Sequence, residues 1–241
     1  MKTLHLNGTN RAIAVFMVLA LITGCGTDDT KSTEGKKMGN EIVLPPPDIK
    51  KSTFLQTIQK RHTTRDYATK QLPITEVSNI LYAAYGINRP KTGKRTAPSA
   101  HDWQYVDIYV SDANGLYIFN PQKPSLEIIL EKDVRKKTGI QEYPASAPLN
   151  FVYVVNYARM PQDLPEKEKS LFGITTVGAI VQNVYLYAAS AELVSGVRAD
   201  IRREPLRKTM KLNDDQEIIL AQSVGYPSVV GEVKKWVHNI F

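Results

Sequence analysis

Apolar positions recur along this chain in two rhythms, and the switches between them mark out its elements. Phe54, Leu55 and Ile58 fall on one helical face just ahead of a polar run. Val77, Ile80, Leu81 and Ala84 repeat at helical spacing, with Thr75 as a candidate N-cap and Gly86 as a stop. Ile87 to His101 is rich in Asn, Pro, Gly, Lys and Thr and has no apolar face, which predicts a loop. The period then drops to two: Val106, Ile108 and Val110 alternate with Tyr105, Asp107 and Tyr109. Asp112-Ala113-Asn114-Gly115 turns the chain, and Leu116 to Phe119 returns as the second strand of a hairpin. A further strand is expected over Leu126 to Leu130, then a short helix near Asp133 to Lys137 ended by Gly139. Leu149 to Val155 is almost continuously apolar and rich in β-branched residues, as a central strand covered on both faces should be. Ile174 to Val194 is the longest helical pattern, with Ile180, Val184, Tyr187, Ala188 and Ala191 on a broad stripe. A short basic helix over Pro205 to Lys211, a strand over Ile218 to Val224 and a turn at Gly225-Tyr226-Pro227 follow.

The N-terminal part carries a different signal. Lys2 and Arg11 precede the apolar run Ala12 to Leu21, which ends in Ile22-Thr23-Gly24-Cys25. This is a positive region, an apolar region and a small-residue cleavage site, too short for a comfortable membrane span. Residues 1–24 therefore read as a signal peptide of bacterial lipoprotein type, with Cys25 as the lipidated residue. An ordinary secretory signal and a single-pass anchor are the alternatives. Cys25 is the single cysteine of the chain, which suits an exported protein whose thiol is reserved for acylation. Residues 25–51, polar and then Pro45-Pro46-Pro47, are expected to form a flexible tether, and residues 52–241 the folded domain. The expected location is the cell envelope, held to a membrane through the lipid on Cys25.

Composition narrows the chemistry. With 241 residues, 42% hydrophobic and 23% charged, the chain can bury one ordinary core. The net charge of +7 is spread along the sequence, and no RNP-like or zinc-finger pattern accompanies it, so nucleic acid is not the expected partner. H-x-x-x-H, C-x-x-C, G-x-S-x-G, Walker and G-x-G-x-x-G patterns do not occur in the sequence. His62 and His101 stand alone. A reaction carried by a bound organic cofactor, acting on a small-molecule substrate, is then the economical enzyme hypothesis.

Two arginines, an imidazole and two hydroxyls arrive together in Arg61-His62-Thr63-Thr64-Arg65-Asp66-Tyr67, an anion-binding composition whose guanidinium forks match phosphate. The stretch resembles the flavin anchor of the nitroreductase family, R-[RH]-[ST]-x-[RK]-x-[FY]. Pro98-Ser99-Ala100-His101-Asp102-Trp103-Gln104 resembles that family's P-S-x-x-N-x-Q loop, and Val197-Arg198-Ala199 falls where the family passes its backbone beneath the flavin ring. The likeness runs from about Thr53 to Pro227 and is closest to the short branch containing the SagB-type dehydrogenases. It implies an α+β fold with a central mixed or antiparallel sheet flanked by helices, an FMN cofactor, two-electron transfer to or from a small substrate, and a homodimer. It also implies roles: Arg61 and Arg65 on the phosphate; His62, Thr63, Pro98, Ser99, Ala100 and Gln104 along the ribityl chain and ring edge; Val197 beneath the ring. Ala199 would donate its backbone N–H to flavin N5. Arg198 would face the substrate or make a surface ion pair. Asp102 stands where the family has Asn, and an ionised carboxylate accepts but does not donate. Asp102, Ala199 in place of Gly, and a distal basic contact replaced by only Lys234 and Lys235 leave open a ligand-binding lipoprotein that kept the fold and lost the flavin.

Overall fold

The computed structural model describes residues 36–45 and 53–228; the leader, Cys25 and the Lys234-Lys235 tail lie outside them. In chain order the elements are β1 (Lys36–Met38), β2 (Glu41–Val43), α1 (Phe54–Lys60), α2 (Ile74–Tyr85), β3 (Ile87–Arg89), β4 (Lys94–Arg95), β5 (Val106–Ser111), β6 (Leu116–Asn120), β7 (Ser125–Leu130), α3 (Tyr143–Ser146), β8 (Leu149–Asn156), α4 (Glu166–Ser190), β9 (Val194–Arg198), α5 (Arg203–Met210) and β10 (Gln216–Gly225). Eight strands form one sheet in the order β1-β2-β7-β6-β5-β8-β10-β9, and each of its ladders is antiparallel. The α+β expectation holds.

The period-two pattern divides two cores between the faces of this sheet. Val106, Ile108 and Val110 of β5 and Phe151, Tyr153 and Val155 of β8 point to the side covered by α2 and α4. Tyr109, Val152 and Val154 point to the other side, where they meet Ile201, Leu206 and Met210 around α5. Strand β8 is buried along all but its last residue, which is why its sequence lacks alternation. Helix α4 is long and apolar enough to cross a membrane by length and composition, yet its Val177, Ile180, Val184 and Ala188 are core residues packed over the sheet. On the second face, Arg203 donates to the carbonyls of Ile218 and Ile219, where the β10 register shifts.

Several boundaries differ from expectation. Helix α2 begins at Ile74 with Pro73 as its N-cap, so Thr75 sits inside the first turn and makes no cap. The stretch from Ile87 to His101 contains the small β3–β4 hairpin, turned at Gly93 with φ +68°. Helix α4 starts eight residues earlier than the apolar stripe and ends at Ser190. There Glu192, at φ 58°, breaks it and releases Val194 into β9. Part of residues 25–51, expected as tether, is strand instead. Strand β2 pairs with β7, Ile42 opposite Leu126, and Leu44 is buried in the main core, so the folded part reaches back to residue 36. That alternation is too short to register as a strand in the sequence.

Candidate functional site

The basic run after α1 does not wander as a surface loop. Arg61 is the C-cap of α1 with extended φ/ψ, and the chain continues extended along the outer edge of β9. Thr63 bridges Ser195 in parallel, Thr64 N–H donates to Ser195 O at 2.9 Å, and Ala68 N–H donates to Tyr226 O at 2.9 Å. Extended backbone sends alternate side chains to opposite sides. Arg61 and Thr63 turn to Tyr185 of α4, and Arg65 turns to Tyr143. The Arg61 guanidinium lies 5.4 Å from the centre of the Tyr185 ring, Thr63 Oγ1 is 2.9 Å from Tyr185 Oη, and the Arg65 guanidinium lies 6.0 Å from the Tyr143 ring. His62 and Thr64 take the other side and line a separate pocket with Lys60, Lys70 and Glu192. His62 was expected on the cofactor edge. The strand's two-residue period instead turns it away, exposed, with Nδ1 hydrogen-bonded to Lys60 O at 2.8 Å.

The strand that receives this run presents a row of backbone groups to the same edge. Ser195 O accepts from Thr64, and Val197 N–H donates to Tyr185 Oη at 2.8 Å. Ala199 is next in that alternation, exposed and one residue beyond the end of β9, and among the described residues its N–H makes no hydrogen bond. Gly196 lets the run lie close. A Cβ there would stand 2.9 Å from both Thr64 O and Tyr67 Oη and 3.2 Å from Arg65 Cγ. Tyr185, 5% exposed, therefore organises the site: one hydroxyl ties Thr63 to Val197 while the ring carries Arg61. Sequence reading missed it, because it falls within an ordinary helical core pattern.

Arg198 is neither substrate-facing nor in a surface ion pair. It is 5% exposed, and its guanidinium donates to Thr138 O (2.9 Å), Thr138 Oγ1 (2.5 Å), Asn150 Oδ1 (2.9 Å) and Ser223 Oγ (2.8 Å). Burial pulls its pKa down, and the Tyr143 and Tyr67 phenols oppose that shift. The Tyr67 hydroxyl is itself pushed up, first by burial and then by Tyr143. Tyr67 Oη donates to Thr64 O at 2.9 Å, so the network under β9 also supports the basic run.

The Pro98–Gln104 loop is built on backbone rarely adopted by side-chain-bearing residues: His101, Asp102 and Gln104 have φ of 48°, 58° and 51°. Ser99 Oγ accepts from Gln104 N–H at 3.1 Å, and the His101 ring stacks on Trp103 at 4.6 Å. Gln104 was expected to reach a ring edge. Its amide is instead engaged inside the loop, accepting from Arg95 Nε at 2.8 Å and donating to Gly93 O and Asp102 Oδ1, each at 3.2 Å. Pro98 and Asp102 are exposed, and Ser99 and Ala100 half-buried. Ala100 N–H donates to Tyr105 Oη at 3.2 Å, which in turn reaches Phe172 O and Thr176 Oγ1 of α4. The basic run meets α4 at Tyr185. At 1.5 Å per residue, those two points on the helix are about 13–20 Å apart. Within one chain the predicted residues thus form two groups. Among the described residues, no cluster of three or more His, Cys, Asp or Glu offers a metal site.

The model of the nitroreductase family matches residues 58–226, a span that holds both groups. The chain belongs to the nitroreductase family. That membership supports flavoprotein oxidoreductase chemistry, and its match begins three residues before Arg61 and ends beside Pro227, where Tyr67 bridges back. A nitroreductase-family protein of Methanocaldococcus jannaschii is 28% identical over 187 residues, covering 73% of this chain and 93% of that protein. A crystal structure of a nitroreductase-family protein from Ralstonia eutropha superposes with a TM-score of 0.75 at 37% identity, covering 81% of this chain and 94% of the other. The NADPH:FMN oxidoreductase of Vibrio harveyi, solved with NAD+, has a TM-score of 0.56 at 18% identity over 73% of this chain and 70% of its own, a likeness of fold alone.

Proposed function

We propose that this nitroreductase-family chain is an FMN-dependent oxidoreductase, lipid-tethered to the cell envelope, that exchanges two electrons with a small organic substrate. The observation that carries the reading is that Arg61 and Arg65 lie on one short run along the edge of β9, the strand that leads out to the exposed Ala199. Two guanidinium forks suit a phosphate, and a fixed backbone donor suits the position where charge changes at flavin N5. Bound FMN would supply the site of hydride transfer. The chain's own part is to hold and orient: Arg61 and Arg65 hold the phosphate, Val197 and Gly196 form the floor, and Ala199 donates its N–H. The hydroxyl of Thr63 positions Tyr185. The bare Cα of Gly196 is an independent sign of fit, because it permits the close approach of run and strand.

We further propose a homodimer in which the partner's Pro98–Gln104 loop closes the site. Separation of the two groups along α4 supports it, as do Leu171 and Ile174 on the same helix, 60% and 53% exposed, and Phe54 and Leu55 on α1, 65% and 76% exposed. The SagB-type branch and the lipoprotein signal remain the reading from sequence, with Cys25 outside the described residues. An envelope location favours a quinol or protein electron donor over a soluble nicotinamide. The test is direct: the full chain should purify yellow and release FMN, not FAD, on denaturation. Colourless protein that takes up no added FMN would favour the binding-protein reading. Cys25→Ser should free the chain from membranes, and persistence on membranes after a high-salt wash would overturn the lipid tether.

A further inference from the structure

Strands β5 and β6 are paired at one end of their length. Strand β5 pairs with β6 only at Tyr109, Val110 and Ser111, although the same register continued would set Ile108 against Phe119 and Asp107 against Asn120. The strands part there, and a cleft of about 370 Å³ opens between them, within the size range of small-molecule pockets. We propose that this cleft binds a small organic monocarboxylate, gripped by Arg95, with its apolar body against Trp103 and Phe119.

Arg95 is 8% exposed. Of its five N–H donors, Nε serves Gln104 Oε1 at 2.8 Å and one Nη makes a long 3.4 Å contact to Tyr85 O. Among the described residues, the other Nη makes no hydrogen bond and no carboxylate lies within ion-pair distance. Arg159 stands on the same cleft, and its like charge adds to the effect of burial in depressing the Arg95 pKa. A buried guanidinium without a carboxylate partner, beside the exposed Arg159, calls for an anion. Tyr85 is 2% exposed, and its ring lies 5.1 Å from the Arg95 guanidinium. Its hydroxyl meets no partner at hydrogen-bonding geometry, although Ser99 stands close enough to lower its pKa. A buried guanidinium fork with one Nη free, backed by an aromatic ring, is the arrangement that a carboxylate completes.

The other charges limit what enters. Asp107 is committed to Arg159 at 2.8 Å and 3.1 Å, and Glu127 accepts from Asn120 Nδ2 at 2.8 Å. With two arginines facing two carboxylates, the lining is balanced, so a single negative charge is accommodated and a phosphate dianion would be opposed by Asp107 and Glu127. Trp103 and Phe119 give an apolar flank, which favours an organic acid over an inorganic anion.

Trp103 also reports on the site. In the full chain carrying Trp236→Phe it is the sole tryptophan, so its emission can be titrated with benzoate at neutral pH while the flavin band is followed in parallel. The expected result is a saturable change in Trp103 emission with benzoate and none with benzamide or phosphate, and a flavin band that does not move. Arg95→Met should weaken binding by more than about tenfold, as loss of a hydrogen bond to a charged group does. Arg95→Lys, which keeps the charge but not the fork, should weaken it by about three- to tenfold and stands in if Arg95→Met does not fold. An equal response to benzamide, unchanged binding in Arg95→Lys, or no saturable response would overturn the proposal. So would a response that follows the flavin band and disappears in Arg65→Ala, since benzoate would then lie at the flavin site. A flavin-free chain that still binds benzoate would separate this cleft from the proposed FMN site.

Discussion

Replacing Arg198 by Met should destabilise the fold rather than impair a catalytic group. The side chain is 5% exposed and makes four hydrogen bonds to Thr138, Asn150 and Ser223. Methionine fills a comparable volume, so the cavity contribution is small. Three of the four acceptor atoms remain served: Asn150 Oδ1 and Ser223 Oγ bond each other at 2.5 Å, and Thr138 Oγ1 donates to Arg135 O at 2.8 Å. Thr138 O is then left without its Arg198 donor, which costs about 1–3 kcal/mol, and the bonds to a charged donor that are lost are individually worth about 1.5–3 kcal/mol. Removing a desolvated cation offsets part of this. The net expectation is a loss of about 2–4 kcal/mol, read as a lower denaturation midpoint with an unchanged slope. Arg198→Lys should recover little, because a point charge cannot fork to three residues. An arginine that faced substrate would shift stability by only about 0.5 kcal/mol. A shift that small, with flavin turnover lost, would refute the structural role and return Arg198 to the active site.

Tyr185→Phe removes the hydroxyl that accepts from Val197 N–H, and by leaving that donor unmet it should cost about 1–3 kcal/mol and loosen flavin retention, measured by denaturation and by flavin content after dialysis. Gly196→Ala drives a methyl to 2.9 Å from Thr64 O and should cost about 1–3 kcal/mol by overpacking, with the Arg61–Arg65 run displaced and flavin lost; full flavin occupancy in this variant would count against the close approach. Burial raises the pKa of Asp112, so its neutral form is favoured in the folded state and wild-type stability is diminished as pH rises through that raised value. Asp112→Asn keeps the acceptor for the Asn114 and Gly115 N–H groups, so its stability relative to wild type should be greatest at neutral pH and fall as the solution is acidified; the opposite trend in urea midpoints would contradict this.

What the sequence disclosed follows the range of the interactions involved. Strands β5 and β8 were legible because period two and continuous burial are local patterns, and the chain obeys both. Arg61, Thr63 and Arg65 were legible as a motif, but that Arg61 and Thr63 meet Tyr185 while Arg65 meets Tyr143 was not. The outward turn of His62 follows from extended backbone, but only once the run is known to lie along β9. Arg198 was misread because its partners lie 60, 48 and 25 residues away, where no spacing rule reaches. Tyr185 was hidden for the complementary reason: on a buried helical stripe, an aromatic residue reads as packing. For Gln104 the deciding partner was Arg95, inside a stretch read as featureless loop whose β4 strand is two residues long.

The dissociation constant of FMN, measured by flavin fluorescence on the full chain, tests the central claim most directly. Wild-type protein should bind saturably. Arg61→Ala and Arg65→Ala should each weaken binding by about 1.5–3 kcal/mol, or roughly 10- to 150-fold, with the fold intact. Retention unchanged in both variants, or a wild-type chain that takes up no FMN, would contradict the assignment of this strand edge as the flavin site.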